Sequence, residues 1–505
     1  MLLPLLLPAV AIGIALAMLI PLFFVVAYTI ATGWDVSYQL LVRPRVGELL
    51  FNTVRLTIGV AAASAVIGTS CAWLTERSDL PWRSAWRALL VAPLAVPSFV
   101  NSFAWISLTH SVEGFGGAVL VVTLSHFPFV YLPVAAALRG IDPAMEETAR
   151  SLGRGPWRTF LEVVLPQLRP ALFGGLLIVT LHLLAELGAL EMLRFPTFTT
   201  AIYDQFQSTF NSAAANMLAA VLVVACLLAL VCEQLLRGRT RYARVGSGVA
   251  RLVAPAALGR SRPLALGGLV VLLALALGVP FVMLGFWLRT GSSTAVSVAV
   301  LRDSALASAA YGGIGALASV VLALPVAWLA VRRPSALSVV TERATYVAHA
   351  LPGIVVALSL VSITLKFAQP LYQSVWLLLT AYVILFFPLA LVSIRAALGQ
   401  VPPVLDDVGR SLGASPISVL LRVTVPLIWP GLGAGAALVF IAVATELTAS
   451  LLLSPIGTVT LATKFWSLSE NISYGAAAPY AALMVAISAP ATLLLTRQAG
   501  RTPTT

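Results

Sequence analysis

Residues 142 to 153 read Asp142, Pro143, Ala144, Met145, Glu146, Glu147, Thr148, Ala149, Arg150, Ser151, Leu152, Gly153, with prolines following at Pro156, Pro166 and Pro170. The same landmarks return 260 residues later as Asp406, Asp407, Val408, Gly409, Arg410, Ser411, Leu412, Gly413, followed by Pro416, Pro426 and Pro430. An acidic pair, an Arg-Ser-Leu-Gly run and three prolines held to one offset mark a duplicated unit. Each copy predicts a short polar helix between two long apolar ones. Carboxylates suit the start of such a helix, a glycine its end and a basic residue its last turn. Gly409 stands where Ala149 does, which predicts a second helix weaker by about 1 kcal/mol at that position. A compact charged helix carried on a loop is a handle offered to something outside the membrane.

The membrane itself follows from composition. With 505 residues, 60% of them hydrophobic and 10% charged, the chain is far too apolar for an ordinary water-soluble domain. A net charge of +12 raises the question of nucleic acid, but arginines gathered on cytoplasmic loops account for it, and no nucleic-acid partner is expected. Cys71, Cys226 and Cys232 lie in or beside apolar runs without metal-type spacing and read as packing residues. The two lysines, Lys366 and Lys464, do not follow glycine, so there is no Walker A phosphate loop and any ATP chemistry must reside in another chain. The uncharged segment 2–34 has no basic start and is read as a retained helix rather than a cleaved signal.

A bilayer span needs about 20 apolar residues. Twelve such windows are predicted, near residues 5–30, 53–75, 88–109, 116–138, 170–194, 213–233, 264–288, 304–330, 345–365, 372–394, 427–453 and 476–496. With the N-terminus placed in the cytoplasm, the inner loops hold 23 of the 31 basic residues, a bias that predicts both termini and both polar helices on the cytoplasmic side. The repeat extends beyond the polar helices. Phe127, Pro128 and Leu138 match Phe387, Pro388 and Leu398 at offset 260, while Ala72, Trp73, Leu74 and Pro97 match Ala327, Trp328, Leu329 and Pro352 at offset 255. One length change of five residues reconciles the two registers. The expected fold is therefore an all-α integral membrane protein of twelve transmembrane helices in two parallel six-helix repeats. Residues 1–240 form the first, with loop 142–170, and 263–505 the second, with loop 402–430; an Arg-rich cytoplasmic connector, 241–262, joins them.

Glu186 and Glu446 are acidic residues inside the predicted fifth and eleventh spans, again 260 residues apart. A carboxylate within a span costs about 3 kcal/mol on insertion scales and faces a cavity or a partner. Glu186 follows Pro170 by about 24 Å of helix, toward the outer half. Two readings stand: the pair flanks a translocation path near its external mouth, or each carboxylate is an anchor tied to a nearby hydroxyl or arginine. His182 precedes Glu186 by one helical turn, a spacing that suits metal binding, but Ala442 holds the equivalent place and two ligands fall short of a usual site, so it reads as a packed or hydrogen-bonded histidine and no metal set is assigned. Residues 191–204 and 454–464 are predicted outward-facing loops, open to a substrate-binding protein or anchored at the interface by aromatics.

The stretch through Glu146, Glu147, Ala149, Gly153 and Pro166 resembles the EAA loop of ABC importer permeases, and the copy through Asp406, Asp407, Gly409 and Gly413 resembles it more loosely. Together with Arg139 to Gly153, Pro166 to Pro170, Leu193 to Phe195 and Thr197 to Tyr203, the whole chain is similar to the fused permease subunit of type I ABC importers of the iron(III) group. The resemblance implies the MetI-like permease fold in a bacterial inner membrane and alternating access. It also implies a cytoplasmic ATPase dimer that binds ATP and Mg and docks on the residues just named, and an extracytoplasmic substrate-binding protein. Paired glutamates suit a hard trivalent cation, yet thiamine and aminophosphonate permeases share the architecture. An ion-coupled secondary transporter would also carry internal repeats but has no use for two matched docking helices. A membrane enzyme would need a compact catalytic constellation, which His110, His126, His182 and His349 do not form in sequence.

Overall fold

The computed structural model describes residues 3–207, 212–237, 255–291 and 297–500. Within them all regular structure is helical apart from one isolated bridge between Ser78 and Ala256. Residues 241–254 of the expected connector lie outside the described residues. Seven helices are long and apolar enough to cross a bilayer, and up to eleven if each sharply bent pair is one span. The last predicted window falls in the helix Tyr474–Gly500.

Four windows expected as plain spans are bent pairs: 5–30 and 116–138 bend by 49° and 43°, and 88–109 and 345–365 turn corners. Arg83–Ala95 meets Ser98–Leu108 at 88°, and Ala336–His349 meets Gly353–Phe367 at 98°. The corners sit at Pro97 and Pro352, equivalent positions of the repeat. Proline has no N–H to continue a helix and forces its predecessor out of helical geometry, and Val96 is extended with φ −99° and ψ 112°. The windows 170–194 and 427–453 also end early. Their helices stop at Ala185 and Ala444, and short helices Gly188–Met192 and Thr448–Leu453 follow after a break.

By packing, the chain forms two compact units. One comprises Pro44–Thr200, Val224–Thr290 and Ser488–Thr505, the other Met1–Arg43, Ala201–Val223 and Gly291–Ile487. These are not the sequence repeats. In the first unit Val279–Thr290, the opening span of the second repeat, packs on Ser98–Leu108. In the second, Leu3–Met18 packs on Val298–Arg332 and Ala336–His349, and the Ser359 hydroxyl donates to the Pro21 carbonyl at 3.4 Å.

Within each unit the long helices cross at repeated small residues. A Cβ on Gly175 would lie 2.8 Å from the Phe129 oxygen and 2.9 Å from Val130 Cα, and one on Gly435 would lie 3.2 Å from Ala390 Cα. Gly175 and Gly435 are 260 residues apart, as are Val130 and Ala390, so the same close approach is built twice. Without a hydrophobic drive between helices in lipid, such contact is what holds spans together. Around the first crossing Phe127, Val130, Tyr131, Val134 and Leu138 share a buried core with Leu56, Val60, Leu90 and Leu168.

Candidate functional site

Both short polar helices form where the repeat predicts them, as Pro143–Ser151 and Val404–Ser411. Asp142 caps the first, its carboxylate accepting the Ala144 N–H at 3.1 Å. Both end on a left-handed glycine, Gly153 at φ 79° and Gly413 at φ 83°. There the N–H groups of Arg154 and Ala414 return to the carbonyls of Ala149 and Gly409, at 3.1 Å each, closing the last turn. Each helix is followed by a π turn, Phe160–Val164 and Leu420–Thr424, again at offset 260. Such turns cluster at functional sites.

The acidic pairs do not act as pairs. Neighbouring residues on a helix point about 100° apart, so one member faces outward and the other inward. Glu147 and Asp407 are exposed, whereas Glu146 and Asp406 turn back into their own units. Glu146 Oε1 lies 3.2 Å from Arg77 Nη1, the two side chains 13% and 7% exposed. Asp406 Oδ2 lies 2.9 Å from Arg332 Nε, at 7% and 6%, and its other oxygen accepts the Thr424 hydroxyl at 2.8 Å. Arg77 and Arg332 are equivalent in the offset-255 register. Each closes a long helix, Pro44–Arg77 or Val298–Arg332. Each also donates to a carbonyl at the end of a neighbouring helix, Arg77 Nη2 to Leu138 and Arg332 Nη1 to Val401, both at 2.9 Å.

Ala149 is buried and Gly409 lies against Val419, whose Cγ2 would be 2.9 Å from a Cβ at that position. The glycine that reads as a weak point in the second helix is thus what admits Val419. Gly153 and Gly413 are exposed, together with Met145, Leu152, Leu405, Val408 and Leu412. Leu152 and Leu412, 74% and 82% exposed at equivalent positions, are the apolar knobs of the two outward faces. Sequence reasoning passed over them because leucine is unremarkable in so apolar a chain.

Each unit holds one more carboxylate with a largely buried side chain in an ion pair. Glu76 pairs with Arg87 and Arg139, both at 2.8 Å. Glu342 pairs with Arg395 and accepts the Tyr346 hydroxyl at 3.2 Å. These arginines read in sequence only as orientation signals.

Glu186 and Glu446 lie just past the ends of their spans rather than inside them. Glu186 Oε1 accepts the Ala189 N–H at 3.0 Å and Oε2 the Ser98 hydroxyl at 2.5 Å. Glu446 accepts the N–H groups of Ala449 and Ser450, at 2.9 and 3.2 Å, and the Ser450 hydroxyl at 3.3 Å. Each carboxylate therefore caps the short helix that follows it. Position 353, equivalent to Ser98, is glycine, and a Cβ there would come 3.3 Å from Glu446 Oε1. The two glutamates belong to different units. His182 is exposed; its Nδ1 bonds the Ile178 carbonyl at 2.9 Å, and its ring lies 4.6 Å from Phe129 and 5.9 Å from His126. Among the described residues no three metal-ligating side chains converge.

Of the two loops expected on the outer side, 191–204 is buried over much of its length, whereas in 454–464 Thr460, Leu461 and Ala462 are buried and Ile456, Gly457 and Val459 exposed. Phe195 and Thr197 to Thr200 are buried, Asn52 donates to the Pro196 carbonyl at 3.0 Å, and Thr199 donates to the Glu186 carbonyl at 2.8 Å. Thr53 and Ser308, equivalent positions, receive the first N–H of the helices beginning at Phe198 and Leu461, at 3.4 and 2.8 Å. Backbone polar groups brought to an apolar environment need such partners. Arg194 and Ile456 remain exposed.

The chain is 38% identical to an Fe(3+)-transport system permease protein of Haemophilus influenzae, over 96% of this chain and 97% of the relative. It is 23% identical to a ferric transport system permease protein of Actinobacillus pleuropneumoniae over 94% of this chain and 76% of the relative. A sulfate transport system permease protein of Escherichia coli is 29% identical, over 45% of this chain and 89% of the relative. The family described as binding-protein-dependent transport system inner membrane component matches twice, over residues 66–242 and 315–502. A polar helix on its arginine in each matched stretch, and a relative alike from end to end, leave one placement: this chain belongs to that family, as a multi-pass inner membrane permease subunit of an ABC importer.

Proposed function

We propose that this permease carries iron(III) into the cell, driven by a separate ATPase dimer that binds ATP and Mg and docks on the two polar helices, and supplied by an extracytoplasmic binding protein. The observation that carries the docking half is the split of each acidic pair. Glu147 and Asp407, with Leu152, Leu412, Gly153 and Gly413, present a charged and apolar surface, while Glu146, Ala149, Asp406 and Gly409 hold that surface to the permease. The substrate follows the 38% identical relative, which is named for Fe(3+) transport. In this reading both termini and both polar helices lie in the cytoplasm. Glu186 and Glu446 then act at the far end of their spans, about 30 Å of helix away, where they hold the short helices beside the external mouth of the path; their oxygens are already engaged by N–H and hydroxyl donors.

Reconstitution decides it. The chain is placed in liposomes with the ATPase and binding protein encoded beside it, and radioiron uptake is followed with and without ATP. ATP-dependent accumulation of iron is expected. Uptake by the chain alone under an ion gradient would make it a carrier, and a binding protein that takes thiamine or an aminophosphonate in place of iron would replace the substrate while keeping the architecture.

A further inference from the structure

We infer that Arg77 and Arg332 are positioning residues that join each polar helix to two spanning helices at once, so that displacement of the polar helix is delivered to the membrane through them. This rests on the importer reading of the polar helices.

Three observations support it. Each arginine meets three elements: it ends one long helix, donates to the end of a second, and faces the inward carboxylate of the polar helix. The arrangement occurs in both repeats although the acid changes from Glu146 to Asp406 and the sequence separation of arginine and acid changes by five residues. A duplication that alters length and side chain yet restores the contact points to the contact itself. Finally, the facing atoms are at ion-pair distance without the alignment of a hydrogen bond, since Arg77 Nη1, Glu146 Oε1 and Arg332 Nε have no hydrogen-bond partner. Coulomb attraction is not directional, so at 6% to 13% exposure the pairs keep each polar helix attached to its arginine without fixing the angle between them. The aligned bonds run instead from the arginines to the carbonyls of Leu138 and Val401, on the spanning side. Each arginine is thus bonded toward the membrane and paired by charge toward the polar helix, with the Thr424 hydroxyl adding one hydrogen bond to Asp406 in the second repeat.

The test compares, in the assembled transporter, iron accumulated per ATP hydrolysed. Arg77→Met and Arg332→Met are expected to lower that ratio about tenfold each, because a buried charge is left without its partner. Glu146→Asp and Asp406→Glu keep the charge and change its reach by one methylene; they fold if the arginine variants do not, and are expected to lower the ratio about threefold. The double reversal Arg77→Glu with Glu146→Arg should recover part of the loss. Variants of the outward face, Glu147→Gln and Asp407→Asn, are expected instead to weaken association with the ATPase. Unchanged iron per ATP in the methionine variants, or in the length-changed variants where the former do not assemble, overturns the inference. Absence of ATP-driven uptake by the unaltered complex would overturn the importer reading instead.

Discussion

At the scale of residues, the glutamates near the ends of the fifth and eleventh spans show how one side chain can be read two ways. Their isolation in apolar sequence marks them as costly, and the structure shows that they cap the short helices after each break. Removing a cap costs about 1 kcal/mol. Glu446→Ala should therefore lower the unfolding temperature of the purified chain, and Glu446→Gln, which keeps an acceptor oxygen, should lower it less; equal melting of all three proteins would deny the capping role. The break was hidden in sequence because Leu187, Gly188, Ala189 and Leu190 continue the apolar run past Glu186, and composition alone does not mark where a helix stops. The tie between Arg77 and Glu146 was hidden for another reason. The partners are 69 residues apart and keep different offsets to their equivalents, so no single repeat register aligns them.

At the scale of elements, the repeated glycine crossings make a contrast within one helix. Gly175→Val would drive a side chain into the backbone at Phe129 and Val130, whereas Gly174 has open space around it. The first substitution should cost about 1 to 3 kcal/mol or more, and Gly174→Ala should be tolerated; size-exclusion profiles and melting curves of the two would separate them. The strand-like bridge gives a second case. Ala256 donates to the Arg77 carbonyl at 2.7 Å, Asp79 N–H donates to Ala256 at 3.1 Å, and the Asp79 carboxylate accepts Leu258 N–H at 2.9 Å. Asp79→Ala should loosen this attachment and speed tryptic cleavage after Arg260 about threefold to tenfold. No change in the cleavage rate would mean the segment is held elsewhere. The stops and the register of the polar helices were legible, because a terminal glycine is local chemistry; the starts were less so, since Asp142 rather than the acidic pair caps the first and the second opens after Pro403 with no side-chain cap. The broken pairs at Pro97 and Pro352 were half legible: the prolines were seen as repeat landmarks, but an apolar window of the right length hid a right-angled corner.

At the scale of the whole molecule, the sequence carried the duplication and the membrane class, since both are written in spacing and composition. It did not carry the packing units, because which lipid-soluble helix joins which neighbour depends on surface fit, and two apolar helices look alike in sequence. Residues 1–43 pack in the unit built on 291–487, and 224–290 in the unit built on 44–200. Segments 1–240 and 263–505, produced separately, should each remain open to protease, while co-expression of the two should restore resistance; a protease-resistant single segment would contradict this. The exchange also sets a timetable for biosynthesis. Leu3–Met18 is synthesised before its packing partner, whose first residue, Val298, follows Met18 by 280 residues, which is on the order of tens of seconds at ordinary rates of synthesis. Through that interval Leu3–Met18 is without the two helices that cover it in the folded protein, and its apolar side chains face lipid in their place.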